Sequence, residues 1–202
     1  MENKISLTTI VLATRNQDKV SEIRDILNPF GWHLVSLNEL DIVGEVVEDG
    51  ITFEENALKK ARFAFQKTGM PSLADDSGLE VDFLEGRPGV FSSRYAGENA
   101  TSRENNLKLL SELDGVAEEN RQARFRCVVA FVNGSIKRIT EGACEGLIHT
   151  EFHGDGGFGY DPLFFVPSLG KTFSEITSAE KNRISHRGLA FRRMTEKLQD
   201  LK

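Results

Sequence analysis

The chain contains few cysteines and none of several common catalytic signatures. Its 202 residues include only Cys127 and Cys144, and no C-x-x-C spacing joins them. We therefore expect reduced thiols in or near the core rather than disulfides. No zinc-ligand spacing, no G-x-S-x-G nucleophile elbow and no Nudix-type glycine and glutamate signature occurs. Zinc chemistry and serine hydrolysis are thereby disfavoured.

Long apolar runs and an excess of positive charge are also missing. No stretch approaches the ~18 apolar residues of a membrane span, and the first residues resemble no signal peptide. We therefore expect a cytoplasmic protein. The net charge of -6 argues against a nucleic-acid backbone or an anionic membrane as the main partner. The length suits one domain, whole or split into two lobes.

Two adjacent carboxylates, Asp75 and Asp76, interrupt an apolar segment. Leu73-Ala74 predicts a strand that ends at a turn over Asp75-Asp76-Ser77-Gly78, before a second strand with alternating apolar residues. Two like charges that lose water need a compensating cation, and carboxylate oxygens suit Mg²⁺. The alternative is a solvated turn, because Asp, Ser and Gly are ordinary turn residues.

A possible anion site lies near the start of the chain. Thr9–Ala13 predicts a strand, Thr14–Lys19 a polar loop, and the apolar spacing after Lys19 a helix that ends at Asn28-Pro29. Helix N-termini that follow strands favour anions, and Lys19 adds a positive charge. An ordinary loop with Asn16 or Asp18 as the N-cap explains the same residues.

Three further segments predict helices and a hairpin. Thr52–Glu55 matches a capping box before a helix, on which Lys60 shares a face with Asn56. Lys60 is a solvated surface residue unless it faces the acidic cluster. Thr101–Glu104 opens a helix that we expect to bury Leu107, Leu110 and Leu113. Asn133-Gly134 between alternating runs predicts a hairpin, so the sheet is expected to be mixed.

The most glycine-dense segment is Gly154–Pro162. It spells G-x-G-x-x-G, but a strand rather than a helix is expected after Pro162, so a dinucleotide site is rejected. Gly170-Lys171-Thr172 lacks the first glycine of a P-loop and is rejected too. The segment is either a tight structural turn or a loop that approaches a ligand, with Phe158 and Tyr160 as flat surfaces and Asp161 as an acceptor.

Basic residues collect near the C-terminal end. Thr177–Glu180 is another capping box, and it opens a short helix that carries Lys181. A last helix follows Ser185, so His186 and Arg187 fall in its first turn. The helix dipole disfavours cations there unless an anion is present, which favours a functional role. Lys181 and Arg187 suit phosphate oxygens, and His186 suits a phosphate or a base carbonyl.

Taken together, these motifs resemble the inosine triphosphate pyrophosphatase family, also called the Ham1 or non-standard purine NTP pyrophosphatases. The resemblance runs from about Ile10 to about Leu198. The bacterial branch is the more similar one, on the evidence of three segments: Leu73-Ala74-Asp75-Asp76-Ser77-Gly78-Leu79, Gly157-Phe158-Gly159-Tyr160-Asp161-Pro162 and Ser185-His186-Arg187-Gly188.

The resemblance implies an α/β fold with a long mixed β-sheet flanked by helices, and two lobes with a central substrate cleft. The whole chain, residues 1–202, would form this one domain and assemble as a homodimer. The implied reaction is Mg²⁺-dependent hydrolysis of ITP, dITP and XTP to the monophosphate and pyrophosphate, which cleanses the nucleotide pool. The implied partner is the purine nucleotide, with no nucleic acid and no membrane.

The resemblance also assigns residues. Asp76 would be the catalytic carboxylate and, with Glu48, the metal ligand, although Glu45 and Asp49 are rivals to Glu48. Lys60 and Lys19 would stabilise the leaving pyrophosphate. The remaining substrate contacts would come from Thr14, Arg15, Asn16, Gln17, Asp18, Ser77, Phe158, Gly159, Tyr160, Asp161, Lys181, His186 and Arg187. One departure is Arg15, which stands where the family often has glycine.

Two other functions stay open at this point. A related pyrophosphatase of the Maf type would act on modified pyrimidine nucleotides. A regulatory module would bind a nucleotide without turnover, although carboxylates beside phosphates would bring such a module little benefit.

Overall fold

A computed structural model describes residues 9–44 and 46–199 of the chain. Seven strands form one sheet in the order β2-β1-β3-β4-β5-β6-β7. The strands are β1 Thr9–Leu12, β2 His33–Ser36, β3 Ser72–Val81, β4 Gln122–Asn133, β5 Ile136–Ile148, β6 Phe164–Val166 and β7 Lys171–Thr172. The helices are α1 Gln17–Leu27, α2 Phe53–Thr68, α3 Ser102–Glu112, α4 Ser178–Ile184 and α5 His186–Lys197. No helix in the described part is long and apolar enough to cross a membrane.

The sheet is mixed, as the hairpin signal predicted. Strand β1 pairs in parallel with β2 and β3, whereas β6 is antiparallel to both β5 and β7. A two-residue turn, Gly134-Ser135, joins β4 to β5, and such a short link permits only antiparallel neighbours. Gly134 has a φ of 60°, a left-handed conformation that glycine adopts without strain.

The chain divides into two compact units. Unit 1 comprises the described residues up to Asp76, then Cys127–Gly142, and those from Arg187 onward; unit 2 comprises Ser77–Arg126 and Ala143–His186. Each unit has its own apolar core. The core of unit 1 includes Ile10, Leu12, Val20, Ile23, Leu27, Leu73, Val129, Phe131, Phe191 and Met194. The core of unit 2 includes Leu79, Val81, Leu109, Leu113, Phe125, Tyr160, Phe164 and Phe173.

Strand β3 corrects the prediction of a turn at the paired carboxylates. It runs without interruption from Ser72 to Val81, through Asp75, Asp76 and Gly78. The expectation of a turn assumed that two adjacent charges could not lie within a buried strand. Alternate residues of a strand face opposite sides of the sheet, so the two carboxylates form ion pairs with different side chains: Asp75 with Lys19 and Arg187, and Asp76 with Lys60.

Helix α3 corrects a second prediction. Leu113, at its C-cap, is buried as expected, but Leu107 is 48% exposed and Leu110 is only partly buried. The inward face instead carries Leu109 together with two buried asparagines. Asn105 accepts a hydrogen bond from the Ala96 backbone N–H and donates to the Ser93 carbonyl. Asparagines satisfied in this way take up positions that apolar spacing alone would assign to leucine.

Both cysteines are buried free thiols, as expected. Burial raises the pKa of Cys144 to about 11 and that of Cys127 further, so both stay protonated at neutral pH. Neither is therefore a nucleophile.

A buried ion network crosses unit 1. The Arg187 guanidinium, on a side chain that is only 2% exposed, lies 2.7 Å from a Glu22 oxygen and 3.2 Å from an Asp75 oxygen. The same Asp75 oxygen accepts a hydrogen bond of 3.0 Å from Lys19. Burial raises the pKa of Asp75, but Lys19 and Arg187 lower it by more, so its net pKa lies well below the ordinary value.

We predict that Gly146→Ala destabilises the fold by about 2–3 kcal/mol. A Cβ atom at this position would lie 2.5 Å from the Phe165 carbonyl oxygen and 2.6 Å from the Phe164 ring, and a backbone atom cannot readily move aside. Urea unfolding measures the change. The neighbouring exposed substitution Glu145→Ala, which loses only a surface ion pair, should cost less than about 1 kcal/mol. Equal losses for the two variants would contradict the prediction.

We also predict that Asp75→Asn lowers the free energy of unfolding at pH 7 by about 3 kcal/mol, because it leaves buried cations short of an anion. Since the pKa of Asp75 is depressed in the folded state, its ionised form stabilises the fold fully above the unfolded pKa of ~3.9. That stabilisation is lost as the pH falls further. The difference between wild type and variant should therefore shrink from pH ~5 to pH ~2.

Urea unfolding at a series of pH values measures this effect. Asp25→Asn, at an exposed position on α1, serves as the control and should change stability little at every pH. A wild-type advantage that stays constant down to pH ~2 would show that Asp75 is not the titrating group.

Candidate active site

The loop between β1 and α1 has the form of an anion-binding helix N-terminus. Asn16 is the N-cap of α1, and its side-chain oxygen accepts a hydrogen bond from the Lys19 backbone N–H at 3.1 Å. The Thr14 hydroxyl accepts one from the Asn16 N–H at 3.2 Å. Gln17 and Asp18 are exposed in the first helical turn. The helix dipole and the free N–H groups of this turn favour a bound anion.

Arg15 occupies the loop without backbone strain. Among the described residues other than glycine, only Asp41 and Glu85 have a positive φ, so Arg15 needs no glycine-like conformation. Its guanidinium donates to Asn38 Oδ1 at 2.9 Å, to the Gly44 carbonyl at 2.9 Å and to the Ile42 carbonyl. The Arg15 side chain therefore contacts the loop that follows β2.

Asp76 is buried among polar groups, with an exposed fraction of 7%. The Lys60 ammonium lies 2.7 Å from Asp76 Oδ1 and 3.1 Å from Glu48 Oε2, so one cation bridges the two carboxylates. The Asn56 amide donates to Asp76 Oδ2 at 3.3 Å. Lys60 is thus the buried exception among the lysines of α2.

The pKa values of Asp76 and Glu48 are shifted in opposite directions. Burial, together with the negative charge of Glu48, raises the pKa of Asp76 above its ordinary value despite the opposing effect of Lys60. Burial also raises the pKa of Glu48, but Lys60 lowers it by more, and the net pKa is below the ordinary value. A carboxylate with a raised pKa in a polar pocket suits a general base.

The donor set fits a hard divalent cation. Within residues 9–44 and 46–199, no three His, Cys, Asp or Glu side chains form a metal cage. Mg²⁺ does not require one, because it keeps several waters and binds one or two carboxylates together with substrate phosphates. Asp76 and Glu48 already hold a positive group, the Lys60 ammonium, between them. Their oxygens therefore suit Mg²⁺.

The two rivals of Glu48 are placed differently. Asp49 forms an exposed ion pair with Lys59, with the ammonium nitrogen 2.5 Å from Oδ1. Glu45 lies outside the described residues. Of the acidic residues described in this loop, Glu48 is the one that shares a cation with Asp76.

In unit 2, the glycine-rich loop is tightly held by Asp161. An Asp161 carboxylate oxygen accepts hydrogen bonds from the Phe158 N–H at 2.9 Å and from the Lys181 ammonium at 2.5 Å. A Cβ atom on Gly157 would lie 2.2 Å from that oxygen, so only glycine fits. The Lys181 ammonium also lies 4.7 Å from the centre of the Phe158 ring, a cation–π contact.

The other unit 2 residues of the predicted site are partly engaged in structure. Tyr160 is buried and donates to the Ser92 carbonyl at 2.8 Å, and burial raises the pKa of its hydroxyl. The Gly159 carbonyl accepts a bond from Asn106. His186 stacks on Phe125 with ring centres 4.7 Å apart. Ser77 is half-buried in β3, directly after Asp76.

The predicted residues therefore form two groups. In unit 1, Lys60 joins Glu48 and Asp76, while Asp75 binds both Arg187 and Lys19, the last residue of the loop Thr14–Lys19. Unit 2 brings together Phe158, Asp161 and Lys181. The substrate contacts assigned to these residues stay predictions, including that of Arg187, whose guanidinium binds Asp75 and Glu22.

Sequence reasoning missed two contributors. Asn56 was recognised only as a neighbour of Lys60 on α2, yet its amide binds Asp76 and both polar groups of the Gly50 backbone. The available signal was a polar residue one turn before Lys60 on the same face of the helix. Glu22 gave no signal, since its partner Arg187 is 165 residues away along the chain.

Comparisons with known proteins agree with this fold and these motifs. The sequence model of the Ham1 family matches residues 10–197. The dITP/XTP pyrophosphatase of Desulforamulus reducens is 53% identical over 194 residues, which are 95% of this chain and 96% of the relative. That of Geobacter sulfurreducens is 53% identical over 185 residues, which are 91% and 93% of the two chains.

Solved structures give the same result. The Ham1 protein of Staphylococcus aureus superimposes with a TM-score of 0.85 at 38% identity, over 96% of this chain and 100% of the other. A HAM1 protein from Coxiella burnetii has a TM-score of 0.85 at 44% identity, over 95% and 98% of the two chains. Sequence and fold agree over nearly the full length, so the chain belongs to the Ham1 family.

Proposed function

We propose that this protein hydrolyses the triphosphates of deaminated purine nucleosides, ITP, dITP and XTP, to the nucleoside monophosphate and pyrophosphate. The observation that carries the proposal is the cation-bridged pair of carboxylates, Asp76 and Glu48, in the same unit as a helix N-terminus suited to phosphates. Relatives named dITP/XTP pyrophosphatases, about half identical over nearly the whole chain, support the substrate class.

Mg²⁺ is the proposed cofactor, with Asp76 and Glu48 as its protein ligands. When bound, it would neutralise charge on the phosphates and orient the reacting groups. The unit 1 residues supply the remaining electrostatics. Thr14, Asn16 and the first N–H groups of α1 would bind the triphosphate, with Gln17 and Asp18 at the exposed edge of that turn.

Asp76 is the proposed general base. As a carboxylate beside the proposed metal, it would orient the water that attacks the α-phosphorus and accept its proton. A bond forms between the water oxygen and this phosphorus, and the bond to the bridging oxygen of the leaving pyrophosphate breaks. Lys19 and Lys60 would stabilise the negative charge that develops on the pyrophosphate.

The proposed base and sugar contacts come from unit 2 and from the start of α5. Phe158 and Tyr160 would present flat surfaces to the purine, while Ser77, Gly159, Asp161, Lys181 and His186 would contribute polar contacts. Hypoxanthine and xanthine carry a 6-oxo group where adenine carries an amine. Donors such as His186, Arg187 and backbone N–H groups would donate hydrogen bonds to the oxo group, whereas the amine of ATP would place a donor against them.

The remaining expectations are kept as proposals. A single two-lobed domain, residues 1–202, would carry both groups of residues, act as a homodimer and work in the cytoplasm. The net charge of -6 fits a small-molecule substrate better than a nucleic acid.

The first test is a substrate panel with an active-site variant. We expect pyrophosphate release from ITP, dITP and XTP, and much less from ATP, dUTP or methylated pyrimidine triphosphates. Asp76→Asn should lower the rate by about 10²–10⁴-fold because it removes the base, while its circular dichroism spectrum stays that of the wild type. Near wild-type turnover by Asp76→Asn would remove the catalytic assignment.

The panel also separates the two alternatives. Preference for the pyrimidine triphosphates would indicate a Maf-type enzyme. Tight binding of ITP in Mg²⁺ without pyrophosphate release would indicate a regulatory module.

A second prediction concerns the metal ligand in the acidic loop. Glu48→Gln should raise the Mg²⁺ concentration needed for half-maximal ITP hydrolysis by about 10- to 100-fold, because one of two charged ligands is lost. Asp49→Asn is the matched control, since Asp49 pairs with Lys59 at the surface, and it should leave the Mg²⁺ dependence unchanged. A larger effect of Asp49→Asn would exchange the roles of the two residues.

A further inference from the structure

The segment that carries Glu48, residues 37–52 between β2 and α2, begins at the buried Leu37, and the part around Glu48 makes several polar contacts. Its described residues contain turns but no helix or strand. Three of its apolar side chains face solvent, with Val43 85%, Val47 74% and Ile51 83% exposed. The position of Glu48 therefore depends on the residues that bind this segment, hereafter the Glu48 loop.

Arg15 binds the first half of the Glu48 loop. Its guanidinium donates to Asn38 Oδ1, to the Ile42 carbonyl and to the Gly44 carbonyl. The Asn38 amide in turn donates to the Arg15 carbonyl at 3.4 Å. Arg15 itself lies in the loop between β1 and α1, so these bonds join the proposed phosphate loop to the Glu48 loop.

Asn56 binds the other end. Its side-chain oxygen accepts a hydrogen bond from the Gly50 N–H at 2.8 Å, and its amide contacts both the Gly50 carbonyl and Asp76 Oδ2. A Cβ atom on Gly50 would lie 2.5 Å from the Asn56 side-chain oxygen, which shows how closely the backbone approaches. Glu48 therefore lies in sequence between two anchored points, Gly44 and Gly50.

We propose that Arg15 is a positioning residue for the metal site: with Asn56, it fixes the Glu48 loop so that Glu48 meets the cation shared with Asp76. The inference rests on the proposed function, in which Glu48 and Asp76 hold Mg²⁺. It gives the Arg15 side chain a role through Glu48, in place of direct binding to the triphosphate.

The chemistry of arginine suits this role. A planar guanidinium donates in several fixed directions, so it can bind an amide oxygen and two backbone carbonyls at once. A lysine ammonium carries the same charge but lacks this planar fork. Arg15→Lys therefore separates a geometric role from an electrostatic attraction for phosphates.

Mn²⁺ binding to the full chain without nucleotide, measured by electron paramagnetic resonance, tests the proposal. We expect Arg15→Met and Arg15→Lys each to raise the dissociation constant by about tenfold, as the loss of a group that orients a metal ligand does. Both variants should keep the wild-type circular dichroism spectrum, since the Arg15 side chain is exposed and its bonds join two loops rather than helices or strands. Arg62→Met, at an exposed position on α2, is the control and should bind Mn²⁺ as the wild type does.

A double-mutant cycle with Glu48→Gln completes the test. If Arg15 acts through Glu48, Arg15→Met should weaken Mn²⁺ binding no further once Glu48 has lost its charge. Three results would overturn the proposal: unchanged Mn²⁺ affinity in Arg15→Met, full affinity in Arg15→Lys, or an undiminished effect in the Glu48→Gln background. Absence of Mn²⁺ binding by the wild type would overturn it as well.

The result is separable from the proposed reaction. Mn²⁺ binding is measured without a nucleotide, so it does not depend on which triphosphate the enzyme hydrolyses. If ITP, dITP and XTP are not hydrolysed but Arg15→Met weakens Mn²⁺ binding only when Glu48 is intact, the substrate class is rejected and the positioning role is kept. The reverse outcome would keep the substrate class and reject the role of Arg15.

Discussion

The alternation of side chains along β3 is the constraint on which unit 1 depends. Asp75 and Asp76 are adjacent in sequence, yet they meet different cations: Asp75 binds Lys19 and Arg187, whereas Asp76 binds Lys60. Two carboxylates on one face would repel each other strongly in a buried setting. On opposite faces, one can be neutralised permanently while the other stays available for chemistry.

The two carboxylates consequently differ in character. Asp75 is buried, its pKa is depressed, and its partners are the buried Arg187 and the partly buried Lys19. The pKa of Asp76 is raised, and its neighbours Lys60, Glu48 and Asn56 leave it a mixed environment of both charges. Identical side chains thus acquire pKa values that differ in opposite directions from the ordinary one, because their surroundings differ.

Much of the architecture could be predicted from local patterns, because caps, apolar spacing and the hairpin turn act over a few residues. The N-caps Thr52, Thr101 and Thr177 all begin helices as expected. The continuity of β3 could not be predicted, since it depends on cations that reach Asp75 from Lys19 and Arg187, both distant in sequence. The prediction for the inward face of α3 was wrong for a similar reason. The hydrogen bonds of Asn105 are made with backbone groups of Ser93 and Ala96, which precede the helix.

The ion pairs of Arg187 can form only late in the synthesis of the chain. Its partners Glu22 and Asp75 precede it by 165 and 112 residues, so this ion network has a high contact order. A ribosome releases the N-terminal residues first, and Asp75 then has only lysines within reach to neutralise it. The ion network around Asp75 is therefore completed only when α5 emerges, and until then Glu22 and Asp75 lack the guanidinium that joins them.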